Sequence, residues 1–86
     1  MYVIIAYDVD VSRVNKIKSF LRTYLNWIQN SLFEGELTDS QLLQVKNKLL
    51  ELIKSNDSVV IYQLKHKNVF KKDIIGVDKS LSKHII

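Results

Sequence analysis

Eighty-six residues with a net charge of +4, 47% of them hydrophobic and 26% charged, make one globular domain, neither two domains nor a disordered tail. No cysteine is present, which excludes disulfides, zinc–thiolate sites and thiol catalysis, and an unstapled domain this small is expected in the cytoplasm. The apolar run Tyr2 to Tyr7 is too short to span a bilayer and lacks the basic start and cleavage site of an export signal, so no membrane association is expected.

Tyr2-Val3-Ile4-Ile5-Ala6-Tyr7 is apolar on both parities and reads as a central strand buried on both faces. Asp8-Val9-Asp10 ends it, and Ser12 can cap a helix in which Val14, Ile17, Leu21, Tyr24 and Leu25 recur at helical spacing. Arg13, Lys16 and Arg22 fall on other faces of that helix. Trp27 to Leu37 reads as a short hairpin with arms near 27–29 and 32–37, turning at Asn30-Ser31. Gly35 inside the second arm suggests a bulge or a close backbone approach. Thr38 and Gln41 form a capping box, with Leu37 and Leu42 at the staple positions. The helix behind it carries Leu42, Val45, Leu49, Leu52 and Ile53 on one face and ends near Ser55-Asn56. Ser58 to Leu64 is a second apolar strand, and Val69 to Val77 a weaker, more charged one.

This order predicts an α+β fold, the ferredoxin-like βαββαβ pattern with an additional C-terminal strand, as a single domain over residues 1–86. Two helices would pack on one face of an antiparallel sheet. The other face would be bare, yet Tyr2, Ile4 and Ala6 point into it. A second copy of the same sheet, related by a two-fold axis, is the simplest cover, so the pattern predicts a homodimer.

Basic residues concentrate at the two ends. Residues 1–30 hold four basic and two acidic residues, residues 31–60 three and five, and residues 61–86 six and two. Taken alone, this is the pattern of an ordinary solvated surface, with a mild pointer to a polyanionic partner. Asp8 stands at the carboxyl end of a buried strand, where a carboxylate is an oxygen ligand fixed on a rigid element. From position alone it reads more readily as a turn residue bonding nearby backbone N–H groups. One carboxylate is a poor magnesium site, but a two-fold axis can bring two copies together. Asp10 reads as a cap. Arg13, Lys16 and Arg22 can touch phosphates or be solvated. Lys65, Lys67, Lys71 and Lys72 can guard a sheet edge or contact nucleic acid. His66 and His84 have no ligand spacing and read as surface residues, while Trp27 and the tyrosines read as core.

Tyr7-Asp8, Arg13-Val14 and the segment Trp27-Ile28-Gln29-Asn30-Ser31-Leu32-Phe33-Glu34-Gly35-Glu36-Leu37 resemble the small CRISPR-associated adaptation proteins of the "Cas two" family, over essentially the whole chain, including the late Ile75-Gly76-Val77. The resemblance implies a homodimer of ferredoxin-like subunits, with residues about 76–86 pairing with the partner subunit. It implies spacer acquisition in antiviral defense, through contact with "Cas one" integrase dimers and double-stranded DNA. It also implies a metal-dependent endonuclease acting on RNA, single-stranded RNA included, or on DNA. By the resemblance Asp8 is the catalytic metal ligand for magnesium (Mg2+) or another divalent cation, and Arg13 and Lys79 face nucleic acid, with Lys16 beside them. A non-catalytic scaffold that holds duplex DNA between integrase dimers is the alternative. Trp27 departs from the family pattern, since many relatives carry a basic residue there.

Overall fold

The computed structural model describes residues 1–82. Strand β1 (Tyr2–Asp8) is followed by helix α1 (Val11–Leu21), strands β2 (Asn26–Gln29) and β3 (Leu32–Glu36), helix α2 (Asp39–Leu52) and strand β4 (Ser58–Leu64). The sheet is antiparallel in the order β2-β3-β1-β4, the ferredoxin-like arrangement expected from the pattern. β1 is a central strand. Its register runs from Tyr2 opposite Glu36 to Ala6 opposite Leu32 on one side, and from Tyr2 opposite Leu64 to Asp8 opposite Ser58 on the other. Among the described residues no helix is long and apolar enough to cross a membrane.

Alternation along β1 divides the molecule. Val3, Ile5 and Tyr7 face the helices and share a core with Ile17, Leu21, Leu25, Phe33, Leu37, Leu42, Val45 and Leu49. The capping box at Thr38 forms as expected: Thr38 Oγ1 accepts from the Gln41 N–H, and the Gln41 side chain accepts from the Thr38 N–H. Leu37 and Leu42, the staple pair, are both buried. The hairpin turns at Asn30, whose φ of 43° lies in the left-handed region that Asn tolerates. A register shift between Trp27 and Gln29 marks a bulge in β2. Gly35 is a close approach: a β-carbon there would stand 3.0 Å from Leu25 Cδ2.

Of the two cap candidates for α1, Asp10 is the one used, since the Ser12 N–H and hydroxyl both donate to the Asp10 carboxylate. Two other expectations change. Helix α2 stops at Leu52, short of Ser55, because the Lys54 N–H is drawn out of the helix to Asp57 Oδ2 at 2.9 Å. The additional strand over Val69–Val77 does not form. Lys67–Val69 is a single 3-10 turn, and residues 70–78 carry no regular structure before the one-turn helix α3 (Lys79–Ser82). The reason is on the sheet's second face. The Phe70 ring rests on Tyr2 with centroids 5.5 Å apart, and Lys72 Nζ donates to Glu34 Oε2 at 2.9 Å. Alternate residues are thus pulled down onto the sheet, and the segment crosses the strands instead of running along an edge. The pairing expected of residues 76–86 concerns a second chain, and its last residues, with His84, lie outside the described residues.

The second face is therefore half covered by its own chain. Phe70 packs on Tyr2 and Lys72 reaches Glu34, and residues 70 and 72–75 form one wall of an open cavity whose other wall is Ile4, Ile28, Leu32 and Glu34. On β4 the face stays open, with Val60 44% and Tyr62 58% exposed. Glu34 is buried there and accepts from both the Tyr2 hydroxyl, at 2.8 Å, and Lys72. Burial first, then the bond to Glu34, pushes the Tyr2 phenol well above its ordinary value. Lys72→Ala leaves the Glu34 carboxylate without its cation. The expected loss is about 1–2 kcal/mol in urea denaturation, less than for a fully buried pair because the Lys72 side chain is 36% exposed. Amide exchange over residues 70–75 should rise in the same variant while β1 stays protected.

Candidate active site

Asp8 is the last residue of β1, and its even-numbered parity puts it on the second face with Ile4 and Ala6. It is exposed, and its carboxylate makes no hydrogen bond or ion pair among the described residues. Tyr7, one residue earlier, points the other way and stacks on Phe33 with centroids 6.3 Å apart. Its phenol is buried, and that burial pushes its pKa up.

The backbone that carries Asp8 is held from outside the strand. Asp57 ends the α2–β4 loop, immediately before Ser58, the register partner of Asp8. Its side chain is 2% exposed. Its two oxygens accept from Arg13 Nε at 2.5 Å, Arg13 Nη2 at 3.0 Å, the Asp10 N–H at 3.0 Å and the Lys54 N–H at 2.9 Å. The bidentate Arg13 fork supplies direction as well as charge. The β1–α1 loop and the start of β4 are thereby joined on either side of Asp8. The Arg13 guanidinium and the two backbone N–H groups hold the Asp57 carboxyl far below the usual carboxylate range. Asp10 is also held low, by the Ser12 hydroxyl first and then the Ser12 N–H.

The basic residues singled out in the sequence do not gather in one place. Arg13 is tied to Asp57 through Nε and Nη2, which leaves Nη1 outside that fork. Lys16 is exposed, one turn along α1. Lys79 opens α3, far along the chain and exposed, and it has an interaction of its own. His66 is exposed. Sequence reasoning missed both Asp57 and Glu34. Asp57 stands in a polar loop and Glu34 in an apolar strand, and each becomes informative only when a cation distant in sequence reaches it.

For a hard divalent cation, the donor at Asp8 is right in kind: an exposed carboxylate on a rigid strand end. It is too few in number. Among the described residues no three His, Cys, Asp or Glu side chains converge, and the nearby carboxylates of Asp10 and Asp57 are committed to Ser12 and Arg13. Magnesium is commonly held by one or two carboxylates together with water and phosphate oxygens, so the single carboxylate of Asp8 would be part of such a ligand set and not a whole one.

The Asp57 clamp has a pH signature. A carboxyl held below its unfolded value contributes stability that is complete above about pH 4 and is lost as pH falls through the folded value. Asp57→Asn or Arg13→Ala should lower stability at neutral pH and flatten the acid limb of the stability profile. Urea midpoints measured across the acid range check both effects, and an unchanged acid limb contradicts them.

With this geometry in view, residues 1–72 match the family model described as CRISPR associated protein Cas2. The chain is 54% identical to the CRISPR-associated endoribonuclease Cas2 2 of Archaeoglobus fulgidus over 94% of this chain and 89% of that one. It is 47% identical to the CRISPR-associated endoribonuclease Cas2 of Methanosarcina acetivorans over the full length of both. Among solved structures it is similar to a Cas2 crystal structure with a TM-score of 0.87 at 50% identity, covering 93% of this chain and 91% of that one. It is also similar to Streptococcus pyogenes Cas2, with a TM-score of 0.74 at 26% identity, covering 86% and 99%. A ferredoxin-like sheet ending β1 in an exposed aspartate, matched across its length in sequence and in fold, places the chain in the CRISPR-associated Cas2 family.

Proposed function

We propose that this chain is a divalent-cation-dependent endoribonuclease of CRISPR adaptation that acts as a homodimer in the cytoplasm, with Asp8 of each copy as the metal ligand and catalytic residue. One observation carries the reading. Asp8 is an unengaged carboxylate on the same face as the exposed Val60 and Tyr62, and Ser58, Val60 and Tyr62 stand opposite Asp8, Ala6 and Ile4 in the register. A second copy that covers this apolar strip brings its own Asp8 toward the same boundary.

The roles follow from the geometry. The two Asp8 carboxylates would hold one cation, magnesium foremost, whose chemistry when bound is to polarise a phosphoryl oxygen and acidify a water. β1 keeps each carboxylate in register, and the Asp57–Arg13 clamp fixes the loop behind it. Arg13 Nη1, Lys16 and Lys79 supply positive charge for backbone phosphates, which position a strand without reading its sequence. RNA is the first substrate class, because the curated relatives are named endoribonucleases.

A second reading draws on the same residues. Among the described residues no general base stands beside Asp8, and an excess of basic charge with one unengaged Asp8 per chain also suits a scaffold that holds duplex DNA between "Cas one" integrase dimers. Such binding would weaken steeply with salt.

Wild type and Asp8→Asn separate the two readings. Magnesium-dependent cleavage of labelled RNA should fall by at least about 100-fold in the variant, while RNA binding persists. Equal duplex binding by both proteins with no cleavage by either favours the scaffold. For the assembly, Tyr62→Glu should convert a dimer into a monomer in sedimentation velocity and abolish cleavage with it. A monomeric wild type, or an undisturbed dimer in the variant, contradicts the two-copy site.

A further inference from the structure

Helix α1 carries a second cationic feature, away from Arg13 and Lys16. Lys18 and Arg22 lie four residues apart, on one face of the helix and its C-cap. Both converge on Trp27 of the edge strand β2. Lys18 Nζ stands 4.5 Å from the indole centroid, and Arg22 Cζ stands 5.9 Å from it. The ring is fixed from two directions: it packs against the core, and its Nε1–H donates to the Asn30 carbonyl at 3.0 Å. Neither cation has a carboxylate partner among the described residues. Elsewhere the buried or half-buried cations are paired, Arg13 with Asp57 and Lys72 with Glu34.

Two like charges four residues apart repel by a few tenths of a kcal/mol in an isolated helix. Here the helix C-terminus and the indole face offset that cost without neutralising either charge. The result is a pair of preorganised, uncompensated cations on a rigid aromatic base, which suits an incoming anion with several oxygens.

We propose that Lys18, Arg22 and Trp27 form a phosphate cradle for the backbone of a nucleic-acid strand. The proposal rests on the reading above that the chain acts on nucleic acid, and it adds a grip on the helix-covered side of the sheet, the side opposite Asp8. The cations leave the indole face for phosphate oxygens on binding, and the Arg22 fork can take two of them.

Trp27 is the only tryptophan of the chain, so its emission reports on the cradle alone. A single-stranded RNA dodecamer, labelled for anisotropy, is titrated into wild type, Lys18→Gln/Arg22→Gln and the charge-conserving Lys18→Arg/Arg22→Lys. Binding should change Trp27 emission with the same midpoint as the anisotropy. The glutamine pair should reduce the slope of log affinity against log salt by about 1.4, since each lost contact removes about 0.7, and weaken binding about 25-fold at roughly 0.1 M salt. The charge-conserving pair should bind like wild type. Circular dichroism and urea midpoints should show all three folded alike. Unmoved emission during binding, or an unchanged salt slope in the glutamine pair, overturns the cradle. Should Asp8-dependent cleavage persist in that case, only the cradle fails. Cradle-dependent binding without magnesium-dependent cleavage retains the cradle and removes the nuclease reading, and a wild type that binds no RNA removes both.

Discussion

The molecule is organised by one strand with two neighbours and two apolar faces. β1 is paired along its length with β3 and β4, so no residue in it can rotate to the other face without losing register on both sides. Val3, Ile5 and Tyr7 commit that strand to the helices. Tyr2, Ile4 and Ala6 then have to be covered from the other side, and Asp8 is carried to the exposed end of the same row. The position of the candidate ligand is a consequence of the same alternation that builds the core. A strand apolar on one face only would have left Asp8 on an ordinary solvated surface, with no reason for a second molecule to approach it.

The uneven charge along the sequence has a structural use. The acidic middle of the chain reaches back to the basic ends. Asp57 takes Arg13, Glu34 takes Lys72, and Glu36 takes the amino terminus. Each pair joins segments more than thirty residues apart, and two of them are shielded from water, where a lone charge would be costly. Arg13–Asp57 fastens the loop behind Asp8. Lys72–Glu34 holds the C-terminal segment across the sheet. This pairing sorts the cations into those consumed by the fold and those left facing outward, and net charge alone makes no such distinction.

Much of the architecture was legible in the sequence because it rests on local rules. Apolar parity identified β1 and β4, the Thr38–Gln41 box identified the start of α2, and Asn30-Ser31 identified the hairpin turn. What was not legible depends on distant partners. Val69 to Val77 has the composition of a weak strand, but Tyr2 and Glu34 draw Phe70 and Lys72 onto the sheet, and that attraction cannot be seen from the segment itself. The end of α2 was misjudged for a similar reason: Ser55-Asn56 look like a helix stop, while the stop is imposed earlier by Asp57 on the Lys54 N–H. At the site, Asp8 stood out by its place at a strand end. Arg13 drew notice as a cation near the start of the first helix, but its partner Asp57 lies forty-four residues on, in a loop with no marking feature. Trp27 read as core, which is half of its environment. The other half, the two cations over its ring, needed the packing of α1 against β2.

A single carboxylate per chain also bears on how such a protein could combine cutting with holding. A complete three- or four-ligand cage within one subunit would bind its metal irrespective of assembly or substrate. With one Asp8 per chain, the ligand set is filled only by a second subunit, waters and the phosphate itself. The cations on α1 proposed to bind phosphate would, by contrast, belong to each subunit separately. On the proposed reading grip and chemistry would have different thresholds: a strand could be held wherever the basic surface reaches it, while hydrolysis would require two Asp8 side chains at the right separation. A small change in how two copies of the sheet packed would move that separation without disturbing either core, because the exposed strip at Val60 and Tyr62 lies outside the helix-covered half of the molecule. If Asp8 acts as proposed, nuclease and scaffold would be two settings of one dimer interface, distinguished by the distance between its carboxylates.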